Sequence, residues 1–236
     1  MVRSADLVPF HALSSARAAV LVLPGGAVCS RGRYWTFVDI ALRDLCCDLA
    51  EQGAPHGLAV HLLRYRYRGW NRHRADTAVD AEWALARIAD TYGDVPVVLV
   101  GNSLGGRAAF WVAGHAQVTG VVGVAPWLPE GDPVEHLAGR KVLILHGDRD
   151  RGGASARRSL AYAQRARTVV PDLLRFEVVG DGHYLLRHTP DCWAVTVDFV
   201  LGTLGFRPFA PPIAAALADG HDRLRTPMPP GLASGK

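Results

Sequence analysis

The sequence predicts an α/β protein, a mostly parallel sheet with helices packed on both of its faces. Three observations carry that prediction. Short apolar runs such as Ala18–Leu23, Val97–Val100 and Lys141–His146 lack a polar/apolar alternation, as strands buried on both faces do. Segments with apolar residues at helical spacing lie between these runs, and strand alternating with helix implies parallel neighbours. The composition, 49% hydrophobic and 20% charged over 236 residues, is that of one domain burying a full core.

Taken in order, Leu7–Leu13 reads as an opening strand interrupted by Pro9, and Ala18–Leu23 as a firmer one. Residues 24–30 (Pro-Gly-Gly-Ala-Val-Cys-Ser) form a loop in which glycines allow a tight turn and leave N–H groups free to face a ligand. Trp35–Glu51 is helical, with Phe37, Ile40, Ala41, Leu45 and Leu49 on the apolar face, and Gln52-Gly53 ends it. Leu58–Leu63 is the next strand. The alternating Arg and Tyr that follow, through Asn71, read as an edge strand with one solvated face, the alternative being a loop over the carboxyl ends of the strands. Ala75–Thr91 is an amphipathic helix that leads into Val97–Val100. Leu104–His115 is the following helix, Gly120–Ala125 and Lys141–His146 are strands, Ser155–Thr168 is helical, Leu173–Val179 is a strand and Cys192–Leu204 a last helix. The domain is expected over 1–206. Residues 207–236, rich in proline, are expected as a partly extended, mobile tail in which Ile213–Leu217 has the pattern of a short helix against the body.

Composition also excludes some classes of function. The net charge of +4 comes from scattered arginines, not from a basic helix or run, so neither a nucleic-acid nor a membrane partner is expected. Residues 1–6 lack the basic-then-apolar layout of a secretory signal, and no apolar run approaches the ~18 residues of a membrane span. A cytoplasmic protein is expected. The four cysteines have neither metal-ligand spacing nor a disulfide framework, and Cys46 and Cys47, adjacent on a helix, point in different directions.

The break in the run at Gly101-Asn102-Ser103-Leu104-Gly105 places Ser103 at a sharp strand-to-helix turn. Gly101 and Gly105 remove the Cβ atoms that would collide as the two backbones close, and the hydroxyl is pushed into the open. A serine hydroxyl needs a base within hydrogen-bond reach and a carboxylate to orient that base.

Gly101–Gly105 resembles the nucleophile elbow of the α/β-hydrolase family, and two later segments extend the resemblance. His146-Gly147-Asp148-Arg149-Asp150, after a strand, is similar to the family's acid-bearing segment, in which the last position, Asp150, is the acid; Asp148 is then a turn residue. Gly180-Asp181-Gly182-His183, after the next strand, is similar to the histidine loop, with His188 as the alternative. Ser103, Asp150 and His183 stand in the chain order this fold requires, each after a strand. Leu23–Ala27 resembles the loop that supplies part of the oxyanion hole, so the N–H groups of Leu104 and of Gly26 or Ala27 are the expected donors. Pro24 departs from the histidine that many relatives carry there.

The resemblance spans about Ala18–Leu204. It implies a lidless member, similar to esterases and dienelactone hydrolases, because Pro129–Arg140 leaves no room for a lid domain. The implied activity is hydrolysis of an ester, thioester or similar acyl bond of a small-to-medium molecule through an acyl-enzyme, with no metal or organic cofactor. The same triad would serve an acyltransferase or cyclase, and the fold also serves non-catalytic binding proteins. Substrate-binding side chains are expected from loops at the carboxyl ends of the strands: Arg31, Trp35, Arg64, Trp127 and Leu128. Their aromatic rings suit an apolar acyl group, and their guanidinium groups a carboxylate or phosphate.

Overall fold

Every side chain of Ala18–Leu23 (β2) is buried, because this strand lies inside a sheet covered on both sides. The computed structural model describes residues 3–34, 37–219 and 224–232. Around β2 the chain forms β1 (Asp6–His11), α1 (Phe37–Gly53), β3 (Leu58–Arg64), α2 (Asp76–Tyr92), β4 (Val97–Asn102), α3 (Leu104–Val112), β5 (Val118–Val124) and β6 (Lys141–Gly147). Then come α4 (Ala156–Ala166), β7 (Leu173–Val178), α5 (Thr189–Thr203), α6 (Pro211–Ala218) and the two-residue β8 (Thr226–Pro227). The sheet order is β1-β3-β2-β4-β5-β6-β7-β8, with β1 antiparallel to β3 and the remaining pairs parallel.

The period-2 geometry of the strands divides the core into two layers. Ala19, Leu21, Leu23, Leu99 and Ile144 face α2, α3 and α4 together with Ala81, Leu85, Ala109 and Ala163. Ala18, Val20, Val22, Val98 and Leu145 face the other way, against Leu45 and Leu49 of α1 and Val197 and Phe199 of α5. Each of the Val, Leu, Ile and Phe side chains among them contributes about 1.5–3 kcal/mol by leaving water. A strand with no polar face in its sequence is therefore held from both sides.

Three elements differ from the sequence reading. On α1 Leu45 and Leu49 are buried as expected, but they share the stripe with Leu42 and Cys46, whereas Ile40 is 73% exposed; the buried face is turned by roughly a quarter turn from the expected one. Cys46 is buried and Cys47 exposed, and burial pushes the Cys46 thiol up to about 12. Residues 65–71 are a loop over the carboxyl ends of the strands, not an edge strand. Tyr65 and Trp70 are buried in it, and Gly69 bridges to Ala27. In the proline-rich stretch, α6 buries Ile213 completely, and Thr226–Pro227 pairs with β7 as the last strand. The described part of 207–236 thus packs on the same sheet. Pro9 is accommodated because β1 is an edge strand, with an irregular register between Pro9 and His11. Among the described residues no helix is long and apolar enough to cross a membrane.

The order β3-β2-β4 contains the reversal that positions the site. The chain leaves β2 with β3 on one side and β4 on the other, so the loops after β2 and β4 part in opposite directions and open a crevice at their carboxyl ends.

Candidate active site

Ser103 stands at that crevice with φ 52° and ψ −114°, a conformation L residues rarely adopt. The turn is over-determined by its neighbours. Ser103 N–H donates to Val124 O at 3.0 Å, and Ser103 O accepts from Trp127 N–H at 2.9 Å. A Cβ on Gly101 would lie 2.3 Å from Gly105 O, and one on Gly105 would lie 2.0 Å from Leu23 O. Both glycines are therefore required for the backbones to approach, and the strain at Ser103 is held by packing on every side.

His183 reaches Ser103 from the loop after β7. Its Nε2 lies 2.9 Å from Ser103 Oγ and its Nδ1 2.7 Å from Asp150 Oδ2. A carboxylate only accepts, so Nδ1–H donates to Asp150 and Nε2 is left to accept from the hydroxyl. Asp150 is 6% exposed and also accepts from Gly152 N–H (3.2 Å) at Oδ1 and from His146 Nε2–H (3.1 Å) at Oδ2. Burial alone would push the Asp150 carboxyl up; the hydrogen bonds from His146, His183 and Gly152 overrule it and hold the group down at about 2. The side chain is thus an anion at any working pH. Asp148 instead accepts from Gly180 N–H at 2.8 Å and ties the two loops together, as a turn residue would. His188 pairs with Asp181 at 2.9 Å.

The loop after β2 abuts the elbow. A Cβ on Gly25 would lie 3.5 Å from Ser103 Cβ, and one on Gly26 would lie 2.8 Å from Leu104 Cδ2. Ala27 was one of the expected oxyanion donors, and the structure removes it: its N–H donates to Arg68 O at 2.7 Å. The N–H groups of Gly26 and Leu104 are committed to no acceptor among the described residues. The loop is clamped from behind by Asn71, whose Oδ1 accepts from Ser30 N–H (2.8 Å) and whose Nδ2 donates to Asp76 Oδ2 (2.8 Å).

A family model described as an alpha/beta hydrolase domain matches residues 43–183. The chain belongs to the α/β-hydrolase family. No curated protein matches it in sequence. Among solved structures it is similar to a putative alpha/beta hydrolase of unknown function from Agrobacterium tumefaciens (16% identity, TM-score 0.62, 88% of this chain and 93% of that one). It is similar also to a Xanthomonas campestris protein described as a serine hydrolase without lid (14%, TM-score 0.62, 88% and 91%). A third is an esterase from Pyrobaculum calidifontis (16%, TM-score 0.56, 87% and 81%). These likenesses are of fold.

In this α/β-hydrolase the expected substrate-binding residues divide. Trp127 lies beside the elbow through its backbone bond to Ser103. Leu128 is 1% exposed and belongs to the core, because the chain turns inward there; it is no free wall. Arg64 is also corrected. Its Nε and Nη2 each lie 2.7 Å from Asp39 Oδ2, so it joins β3 to the first turn of α1 and its charge is already matched. Arg31 is exposed, with its guanidinium 5.1 Å from the Tyr67 ring centre, and makes no bond to the serine or histidine. Trp35 lies outside the described residues.

Two groups near the elbow were missed by sequence reasoning. Arg107, four residues after Ser103 and so on the same helical face, is stacked 3.9 Å from Trp70 and 4.6 Å from Trp127. It makes a bidentate pair with Asp132, both bonds 2.8 Å. Spacing from the serine would have marked Arg107; nothing in the sequence marks Asp132 or Trp70 as its partners. The other is His146, read only as part of the acid-bearing segment. His146, Asp150 and His183 are also the one cluster among the described residues whose ligand atoms lie close enough for a metal ion. Their polar atoms are already used on one another, since His146 Nε2 and His183 Nδ1 both face Asp150 Oδ2.

Proposed function

We propose that the chain is a lidless serine hydrolase that cleaves an ester, thioester or similar acyl bond of a small-to-medium molecule through an acyl-enzyme. The observation that carries this reading is the continuous hydrogen-bonded line from Ser103 Oγ through His183 to Asp150, at 2.9 and 2.7 Å, at the topological switch of the sheet. In this reading Ser103 Oγ attacks the acyl carbon while His183 Nε2 takes its proton, and Asp150 stabilises the imidazolium without becoming protonated. Gly26 N–H and Leu104 N–H receive the developing oxyanion, each worth on the order of 3 kcal/mol in such sites. His183 then returns the proton to the leaving alcohol or thiol, and a water activated by the same imidazole releases the acid.

Trp127 offers an apolar wall next to the serine, which favours an apolar acyl portion. With Arg64 consumed by Asp39, a carboxylate on the substrate has less support than the sequence suggested. The enzyme so described is a cytoplasmic one that needs no metal, cofactor, nucleic acid or membrane. A fluorophosphonate probe and short activated esters test the reading: labelling of wild type that Ser103→Ala abolishes, with a parallel loss of ester turnover, supports it. An unlabelled wild-type protein that turns over no ester overturns it.

A further inference from the structure

His146 occupies a position where the core asks for an apolar side chain. It lies on β6 two residues after Ile144, on the face that packs beneath α4, and it is 0% exposed. A leucine there would continue the stripe of Val142 and Ile144. Burying an imidazole in its place costs free energy unless its nitrogens are used. One nitrogen is used: Nε2 lies 3.1 Å from Asp150 Oδ2, the same oxygen that receives His183 Nδ1–H at 2.7 Å. The other, Nδ1, has no hydrogen-bond partner.

The arrangement fixes the state of the ring. Burial pushes the His146 imidazole down from its ordinary value, and the neutral ring must carry its proton on Nε2, because the carboxylate opposite can only accept. The Nδ1 lone pair is then all that remains unmet. The titratable and charged groups around it are Asp150 on its own loop and Arg175 and Glu177 on β7, with His183 beyond the carboxylate, and the backbone of Ala154 also acts on the ring.

We infer that His146 is a positioning residue of the active site: its buried Nε2–H holds Asp150 Oδ2 toward His183 and shares that oxygen's charge. The inference rests on the hydrolase reading above. Asp150 has three fixed donors, Gly152 N–H on Oδ1 and His146 and His183 on Oδ2. Without His146 the oxygen that faces the catalytic imidazole keeps that imidazole as its one donor. The carboxylate then rotates more freely and becomes more basic, and so raises the basicity of His183.

The test is a cycle of His146→Leu and His146→Gln in wild type and in Asp150→Asn, read by ester kinetics, pH profile, fluorophosphonate labelling rate and thermal melting. On the wild-type background His146→Leu is expected to lower kcat about tenfold with KM within about twofold, and to move the ascending limb of kcat/KM upward by about half a pH unit. His146→Gln, which keeps an N–H donor, is expected to recover at least about a third of the loss. In Asp150→Asn, where the acid no longer orients the imidazole, His146→Leu is expected to cost less than about twofold. Equal losses on both backgrounds, or an unmoved limb, would show a role in packing only and overturn the inference. Labelling of wild type at Ser103 keeps the two levels apart: if it fails, the hydrolase reading falls and takes this with it. If it succeeds while both His146 variants behave as wild type, this inference alone falls.

Discussion

Adding one methyl group at Gly26 should remove half of the proposed oxyanion hole. The Cβ of Gly26→Ala would lie 2.3 Å from Arg68 O and 2.8 Å from Leu104 Cδ2. A side-chain tip can swing aside, but a carbonyl oxygen cannot, and this one already accepts from Ala27 N–H at 2.7 Å inside a loop clamped by Asn71. Ordinary contact between carbon and oxygen needs a little over 3 Å, so one of the two loops must retreat by about 1 Å. A donor that moves by about 1 Å from a normal hydrogen-bond distance no longer bonds, and losing one such donor costs about 10²–10³ in kcat. KM should change little, because the donors act on charge that appears only in the transition state. The overpacking itself should cost about 1–3 kcal/mol of stability, or several degrees in Tm. Kinetics on a short activated ester, with active sites counted by fluorophosphonate titration, measure the first effect, and a thermal melt measures the second. Gly153→Ala is the control, since its added Cβ meets nothing within 4 Å. A Gly26→Ala enzyme with kcat within about threefold of wild type, despite the lowered Tm, would refute the assignment of Gly26 N–H as a donor.

Asp150→Asn should lower kcat by about 10³–10⁴ through the wrong imidazole tautomer, whereas Asp148→Asn, which keeps an oxygen for Gly180 N–H, should stay within a few-fold; equal losses would unseat Asp150. Arg64→Ala should cost roughly 0.5–1 kcal/mol of stability as a half-exposed ion pair and leave the ratio of rates on a neutral ester and its carboxylate-bearing counterpart unchanged. A selective loss on the charged ester would return Arg64 to the substrate site. Because the Asp150 carboxyl is held at about 2 in the folded chain, below its ordinary value, it adds stability that is present above about pH 4 and lost as pH falls toward 2. Denaturant melts should therefore show wild type and Asp150→Asn converging by roughly 2 kcal/mol between pH 5 and pH 2, and a constant gap would contradict the depressed value.

What was legible in the sequence follows from how local each signal is. The strand-to-helix turn at Ser103 was readable because its cause, two glycines at fixed offsets from the serine, lies within five residues; the structure shows both Cβ positions filled by backbone. The approach of Asp150 and His183 to Ser103 was readable because each follows its own strand, and sheet order converts chain order into proximity. Ala27 and Arg64 misled for the opposite reason. What occupies the Ala27 N–H is the carbonyl of Arg68, and what neutralises Arg64 is Asp39, each on another segment of the chain. No pattern in either segment announces the partnership, because a hydrogen bond between loops needs only two atoms to meet and constrains no residue type along the way. The same holds for Trp70 and Asp132 around Arg107. His146 is the intermediate case. Its spacing of four from Asp150 was in view, but whether that spacing brings the ring to the carboxylate depends on the turn after β6. That turn is set by Asp150 N–H on Gly147 O, with Asp148 pinned to Gly180 across the sheet edge. Pairings made by backbone geometry thus escape motif reading even between neighbours in sequence, and at this site they decide which of the candidate groups remain free to meet a substrate.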